Sequence, residues 1–239
     1  MGSIGYTTLS RQTGLLNEMQ VVANNIANSA TTGYRSEGLI FSEYVKSAPG
    51  MESVSMGRAN IRNTSQEQGS VTQTGGSFDL AIEGDGFFMV ETPNGTRLTR
   101  AGNFSPSATG ELVTPDGHRV LDAGQAPVFI PGDAKSIAFG NDGTISADGQ
   151  QIGQIGLFQP EEGAQMLRED GVMFRVENGD ALPAQGAQIL QGFLESSNVN
   201  TIHQLARMIE VQRAYEMGQS FLDNEDKRIR AAIDNLMKS

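Results

Sequence analysis

Asp79, Glu83 and Asp85 have the spacing that acid chemistry requires. With Ala81 they alternate at a period of two, so in a strand the three carboxylates share one face. Paired carboxylates about 5–9 Å apart serve glycoside hydrolysis, and clustered ones bind calcium. Leu80 and Ile82 between them form an ordinary buried face, and Gly84 and Gly86 predict a bend. A solvated strand edge is therefore the expectation, and the three acids belong only to an alternative reading as a carbohydrate-active enzyme.

The other candidates are weaker. GDGFFM (84–89) begins like G-x-G-x-x-G, but Met89 stands at the third glycine and no helical pattern follows, which excludes a dinucleotide site. No G-x-x-x-x-G-K-[ST], H-E-x-x-H or G-x-S-x-G occurs. Asp142-Gly143 and Asp148-Gly149 read as hairpin turns and not as an EF-hand loop. His118 follows the Asp116-Gly117 turn, and His203 lies on a helical stretch; neither has a partner in the pattern. No catalytic, metal-ligating or cofactor-binding residue is assigned, and the chain is expected not to be an enzyme.

The elements that would hold any site differ sharply along the chain. Residues 5–28 read as a helix, with Leu9, Leu16 and Ala23 at heptad position a and Gln12, Met19 and Ile26 at d. Ser-Ala-Thr-Thr-Gly then breaks the pattern, with Gly33 as a stop. Residues 35–71 form a polar, irregular arm with a possible hairpin. From about Thr72 the texture is all-β: short apolar runs (80–82, 87–90, 128–130, 155–158) alternate with Asn94-Gly95, Thr109-Gly110, Asp116-Gly117, Asp142-Gly143 and Asp148-Gly149. Asn-Gly and Asp-Gly suit the positive φ values of type I′ turns. From Asn198 the helical pattern returns. Met208, Tyr215, Leu222, Ile229 and Leu236 recur every seven residues at d, with Leu205, Gln212, Gln219, Asp226 and Ile233 at a. A helix from Val199 to Met237 would be about 58 Å long, which points to a coiled coil.

The expected fold is therefore mixed α and β, with N- and C-terminal helices paired as a coiled coil and an all-β domain inserted between them. The domains run 1–34, 35–71, 72–195 and 196–239, the last packing with the first. Leu15, Val21, Val22, Ile202, Ile209, Val211, Met217 and Phe221 lie off the chosen seam. A helix apolar on several sides needs several neighbours: either these residues pack on the β domain within one subunit, or, as expected here, the chain polymerises. Deletion of residues 1–28 is expected to abolish assembly and leave the β domain folded.

Composition narrows the partners. A net charge of −11 over 239 residues disfavours nucleic acid and anionic membrane surfaces, which call for basic patches. No apolar run is long enough to cross a membrane as a helix, and the N-terminus shows no cleavable secretory signal. Cysteine is absent, which removes disulfide and thiol chemistry.

Three blocks carry a family resemblance. ANNIANSATTGYRSE (23–37) resembles the signature near the N-terminus of the bacterial flagellar axial proteins, the rod, hook and hook-associated proteins. FDLAIEGDGFFMV (78–90), LTRAGNF (98–104) and LVTPDG (112–117) resemble the β domain shared by rod and hook proteins. LESSNVN (194–200) and MIEVQRAYEMGQ (208–219) resemble their C-terminal helix. Leu98 departs from the pattern, which often has an aromatic there. The short length and LSRQ (9–12) point to the proximal-rod type, with a distal-rod or hook-type subunit as the alternative.

The resemblance implies a structural subunit of the flagellar basal-body rod, which polymerises through its terminal helices into a hollow torque-transmitting shaft. It implies a periplasmic location, export by the flagellar type III apparatus without signal cleavage, and assembly with itself and other rod proteins. It also makes Asn24, Asn25, Asn28, Gly33 and Tyr34 the family motif. The helix seam Leu9, Leu16, Met19, Ile26, Leu205, Met208, Tyr215, Leu222, Ile229 and Leu236 is the expected assembly interface. In the heptad frame Asn24, Asn25 and Asn28 fall at b, c and f, away from the pairing of the two helices, so they are expected to face a neighbouring subunit or cap the helix end.

Overall fold

The structure, a computed structural model, describes residues 2–46 and 54–238. The stretch 47–53 of the predicted arm, with Gly50, lies outside the described residues. Contacts divide the chain into two compact units. The first combines residues 1–28, 36–65 and 199–239; the second combines 29–35 with 66–198.

In the first unit, helix α1 (Gly2–Ala27) and helix α2 (Thr201–Lys238) are joined by a strand pair, β1 (Glu37–Lys46) with β2 (Val54–Thr64), antiparallel and bulged between Ile40 and Phe41. Periodicity carries α1 and α2, but their ends are set by polar caps. Asn200 Oδ1 accepts the His203 N–H at 3.1 Å, an N-cap bond that satisfies an orphan donor at the start of α2. At the end of α1 the Asn28 backbone and side-chain amides both donate to Asn24 O, at 3.1 and 2.9 Å. Asn28 therefore ends the helix, and Gly33 serves a different purpose.

The face that α1 turns inward differs from the predicted seam. Gln12, Glu18, Val21, Val22 and Asn25 are buried, while Leu9 and Leu16 are 55% and 44% exposed and Ala23 is exposed too. Among the described residues of α2 only Val211 is fully buried, with Gln204, Met208, Ala214, Tyr215, Gly218 and Leu222 half-buried. The inward stripe of α1 is thus rotated off the predicted a positions, toward Glu18, Val21, Val22 and Asn25. Polar side chains can occupy it because they find partners across the pair. The Gln12 side-chain amide donates to Tyr215 O at 3.0 Å, and Arg207 Nε donates to Glu18 Oε1 at 2.7 Å. This hydrogen bond to Glu18 is also the main cause that raises the Arg207 pKa.

The second unit is all-β among its described residues. Strand β3 (Val71–Gln73) pairs with Phe193–Glu195, and β4 (Leu80–Glu83) pairs with Gln188–Gln191, so the unit's late strands clamp its first ones. The main sheet is built around β5 (Phe87–Thr92) and β6 (Gly95–Thr99), an antiparallel hairpin. Phe88 and Val90 enter one core cluster with Leu80, Ile82, Leu112, Ile145 and Ile189. Phe87 and Met89 enter a second with Leu98, Phe158 and Phe174. The strand is apolar on both faces because both faces are covered. Leu98, registered against Met89 and Phe174, fills its site as an aliphatic.

Among the described residues, of the four Asn-Gly and Asp-Gly pairs read as type I′ turns only Asp148-Gly149 takes that form; at 94–95, 116–117 and 142–143 the glycine alone has positive φ, which corrects the expectation. Asp148 and Gly149 both have positive φ (50° and 83°) between the paired residues Ala147 and Gln150, as a type I′ turn requires. At 92–95 only Gly95 (φ 101°) is left-handed, so Pro93-Asn94 make the turn and the glycine follows it.

Candidate functional site

The three acids singled out for chemistry are not brought together. Strand β4 ends at Glu83, which is exposed, and Gly84 (φ 95°) turns the chain before exposed Asp85. Asp79 Oδ2 accepts the Thr74 hydroxyl at 2.6 Å. Among the described residues no group of three or more His, Cys, Asp or Glu side chains is disposed to hold a metal ion. His118 is half-buried, and His203 is exposed on the first turns of α2.

The features that do stand out are structural, and they converge on the three family blocks. The N-terminal signature is shared between the units, passing from one to the other at Asn28 and Ser29. Its first half belongs to the helical unit. Asn25 is 1% exposed; its amide donates to Glu37 O at 2.8 Å, and its carbonyl accepts the Glu37 N–H at 3.0 Å. That two-way bond mimics a strand pairing and fixes the start of β1 on the flank of α1. The same amide lies 3.5 Å from Gln204 Oε1 on α2. Asn25 therefore faces inward within its own chain, which corrects the placement the heptad frame gave it; Asn28 is a helix-end cap, and Asn24 is exposed.

The second half belongs to the β unit. Gly33 has φ +69°, and a Cβ there would meet Ala101 N at 2.3 Å and Arg100 C at 2.4 Å. Only glycine fits such a left-handed residue pressed against another backbone. Its N–H donates to Glu195 O at 2.8 Å. Tyr34 is buried, and the Arg168 guanidinium lies over its ring at 4.3 Å and over Phe174 at 4.7 Å. Arg168 also donates to Arg35 O and to Gly171 O.

At the centre is a buried charge cluster. Glu195 is 1% exposed, and its two carboxylate oxygens take Arg35 Nη2 at 3.0 Å and Arg100 Nη1 at 3.1 Å. The Gly69 N–H adds a third contact to Glu195 Oε1 at 3.1 Å. Arg35 also donates to Gln66 O and Glu67 O, and Arg100 to Ile82 O and Gly84 O. Burial pulls both guanidinium groups below the usual arginine range, Arg100 to about 10, and the Glu195 charge opposes that shift. One carboxylate thus fastens the segment 29–35, the β5–β6 region and the late strand 193–195. Asn198 continues the clamp: its N–H donates to Tyr34 O at 3.2 Å and its side chain to Glu67 O at 2.8 Å.

Arg35, Arg100, Glu195 and Asn198 lie inside the quoted blocks YRSE, LTRAGNF and LESSNVN. Charged residues far apart in a chain carry no periodic signal that links them, so spacing alone did not single them out. Of the predicted seam, Leu9, Leu16, Leu205, Ile229 and Leu236 are exposed, while Met19, Ile26, Met208, Tyr215 and Leu222 are half-buried.

The chain thus carries a long helix at each end and a β unit inserted between them. Family descriptions agree along its length: "Flagella basal body rod protein" at residues 6–35, "Flagellar hook protein FlgE/F/G D1 domain" at 81–147, and "Flagellar basal body rod FlgEFG protein C-terminal" at 190–235. The chain belongs to the flagellar basal-body rod protein family and is a structural subunit of that rod.

Within the family it is most like the proteins named FlgF. It is 38% identical to the "Flagellar basal-body rod protein FlgF" of Caulobacter vibrioides over 98% of this chain and 97% of that one. The FlgF of Rhizobium meliloti is 35% identical over 97% and 96%. The FlgG of Bacillus subtilis is 32% identical over 96% and 97%. These relatives are rod proteins, which implies that this chain is not an enzyme. No described helix is long and apolar enough to cross a membrane.

Proposed function

We propose that this chain is a subunit of the proximal part of the rod, joined to its own copies and to other rod proteins through the helical unit. The rod lies in the periplasm, and the chain reaches it through the flagellar type III apparatus without loss of a leader. The observation that carries the reading is the apolar surface that α1 and α2 leave uncovered within one chain. Leu9, Leu16, Leu205, Ile209, Met217, Phe221, Ile229 and Ile233 are all between 42% and 68% exposed. A surface of that kind marks an interface, and on two long helices it suits registered contacts that carry torque between neighbours. Supercoiling of α1 on α2 and the predicted seam of Leu9, Leu16, Met19, Ile26, Leu205, Met208, Tyr215, Leu222, Ile229 and Leu236 are part of this proposal.

Deleting residues 1–28 tests it, because the cut falls at the boundary of the β unit. The shortened chain should keep the β-sheet circular dichroism spectrum and fail to enter basal bodies isolated from cells that express it. Normal incorporation would overturn the role given to the helices.

A further inference from the structure

The chain's charge is divided very unevenly between its two units. Residues 29–35 and 66–198 contain 18 acidic and 7 basic residues, whereas residues 1–28, 36–65 and 199–239 contain 10 of each. The β unit alone therefore carries the whole net charge of −11, and the helical unit is neutral. The neutral unit is also the one whose apolar helix residues stand exposed. On α2 its charges lie in complementary pairs along the helix, Arg207 with Glu210, Arg228 with Glu225 and Arg230 with Asp226. Nothing in the net charge of the helical unit opposes close packing of one copy on another, while a net charge far from zero keeps proteins apart through mutual repulsion.

We propose that the acidic β unit limits the addition of copies of this chain to one another, by setting repulsion between β units against the apolar attraction between helices. The inference rests on the reading of the helical unit as the assembly surface. Its consequence for partner choice is direct: a neighbouring subunit with a less acidic β unit is preferred to another copy, so a run of this chain stays short. The screening length of the repulsion is about 30 Å at 10 mM monovalent salt and about 8 Å at 150 mM. Self-association is therefore held down at low salt and released as salt rises.

The test is analytical ultracentrifugation of the full chain at neutral pH, in 10 mM and in 150 mM sodium chloride, beside a variant with Asp116→Asn, Asp133→Asn, Glu162→Gln and Asp180→Gln. All four carboxylates are exposed in the β unit. Wild-type association should tighten by about tenfold or more between the two salts, since the repulsion is long-ranged only in the first. At 10 mM the variant should associate severalfold more tightly than wild type, and its salt dependence should be shallower. Equal wild-type association at both salts would overturn the charge limit and leave assembly through the helices standing. A salt effect in wild type without tighter association of the variant would overturn it too, because salt would then be acting on the apolar contacts alone. No association under any condition would remove the assembly reading and this inference with it.

Discussion

Replacing Glu195 by Gln is the sharpest perturbation of the β unit. The substitution keeps the side chain's size and removes the carboxylate that is ion-paired with both Arg35 and Arg100, whose side chains are 2% and 3% exposed. Two guanidinium groups then remain buried beside each other, each already disfavoured by desolvation. Breaking a buried pair by removing one partner costs about 3–5 kcal/mol, because the survivor is a charge without compensation. At about 3 °C per kcal/mol for a unit of this size, the β unit should melt roughly 9–15 °C lower. Thermal unfolding of the full chain followed by far-ultraviolet circular dichroism reads this directly.

The companion variants fix the interpretation. Arg35→Gln or Arg100→Gln alone leaves one matched pair and should cost less than Glu195→Gln. Replacing the cluster whole, with Arg35→Met, Arg100→Met and Glu195→Leu together, should recover most of the loss, since a packed apolar set is often as stable as the buried ions it replaces. The pH dependence has a defined sign. Desolvation by burial pulls the Arg100 pKa down to about 10 in the folded chain, below its ordinary value in the unfolded one. The native state therefore binds fewer protons only above about 10, and there this group makes stability rise with pH. From neutral pH to about 9 it is protonated in both states, so Arg100 contributes no slope. A Glu195→Gln protein that melts within about 2 °C of wild type would refute the claim that the cluster holds the unit together.

Asn25→Ala removes both side-chain bonds to the Glu37 backbone in a buried site and should destabilise the helical unit by about 2–4 kcal/mol; Asn24→Ala, on an exposed side chain, should stay within about 0.5 kcal/mol. Urea titration of the two variants side by side separates them. Gly33→Ala should cost at least about 3 kcal/mol in the β unit, from the left-handed φ together with a Cβ driven into the backbone of residues 100 and 101, and its melting temperature should fall accordingly.

Much of the architecture was legible because periodicity is a local property. The two helical ends and the β character of the middle follow from apolar spacing, and Asp148-Gly149 follows from the φ values that its turn demands. The inward face of α1 was less legible. Leu15, Val21 and Val22 compete with Leu9 and Leu16 for the same stripe, and a helix apolar on several sides does not state which side meets its own chain. The structure turns Gln12, Glu18 and Asn25 inward because Tyr215 O, Arg207 and Glu37 are there to pair with them, information that no single-helix pattern holds. Asn25, expected to face a neighbouring subunit or cap the helix end, is a buried tie to β1. The cluster of Arg35, Arg100 and Glu195 was invisible for a related reason, since charged residues are expected at the surface and the chain folds back through the β unit before they meet.

An electron-microscopy map of isolated basal bodies with this chain traced in it tests the central claim most directly. Leu9, Leu16, Leu205, Ile209 and Phe221, exposed in the single chain, should be covered there by helices of neighbouring subunits. Those same residues facing solvent in the assembled rod would contradict it.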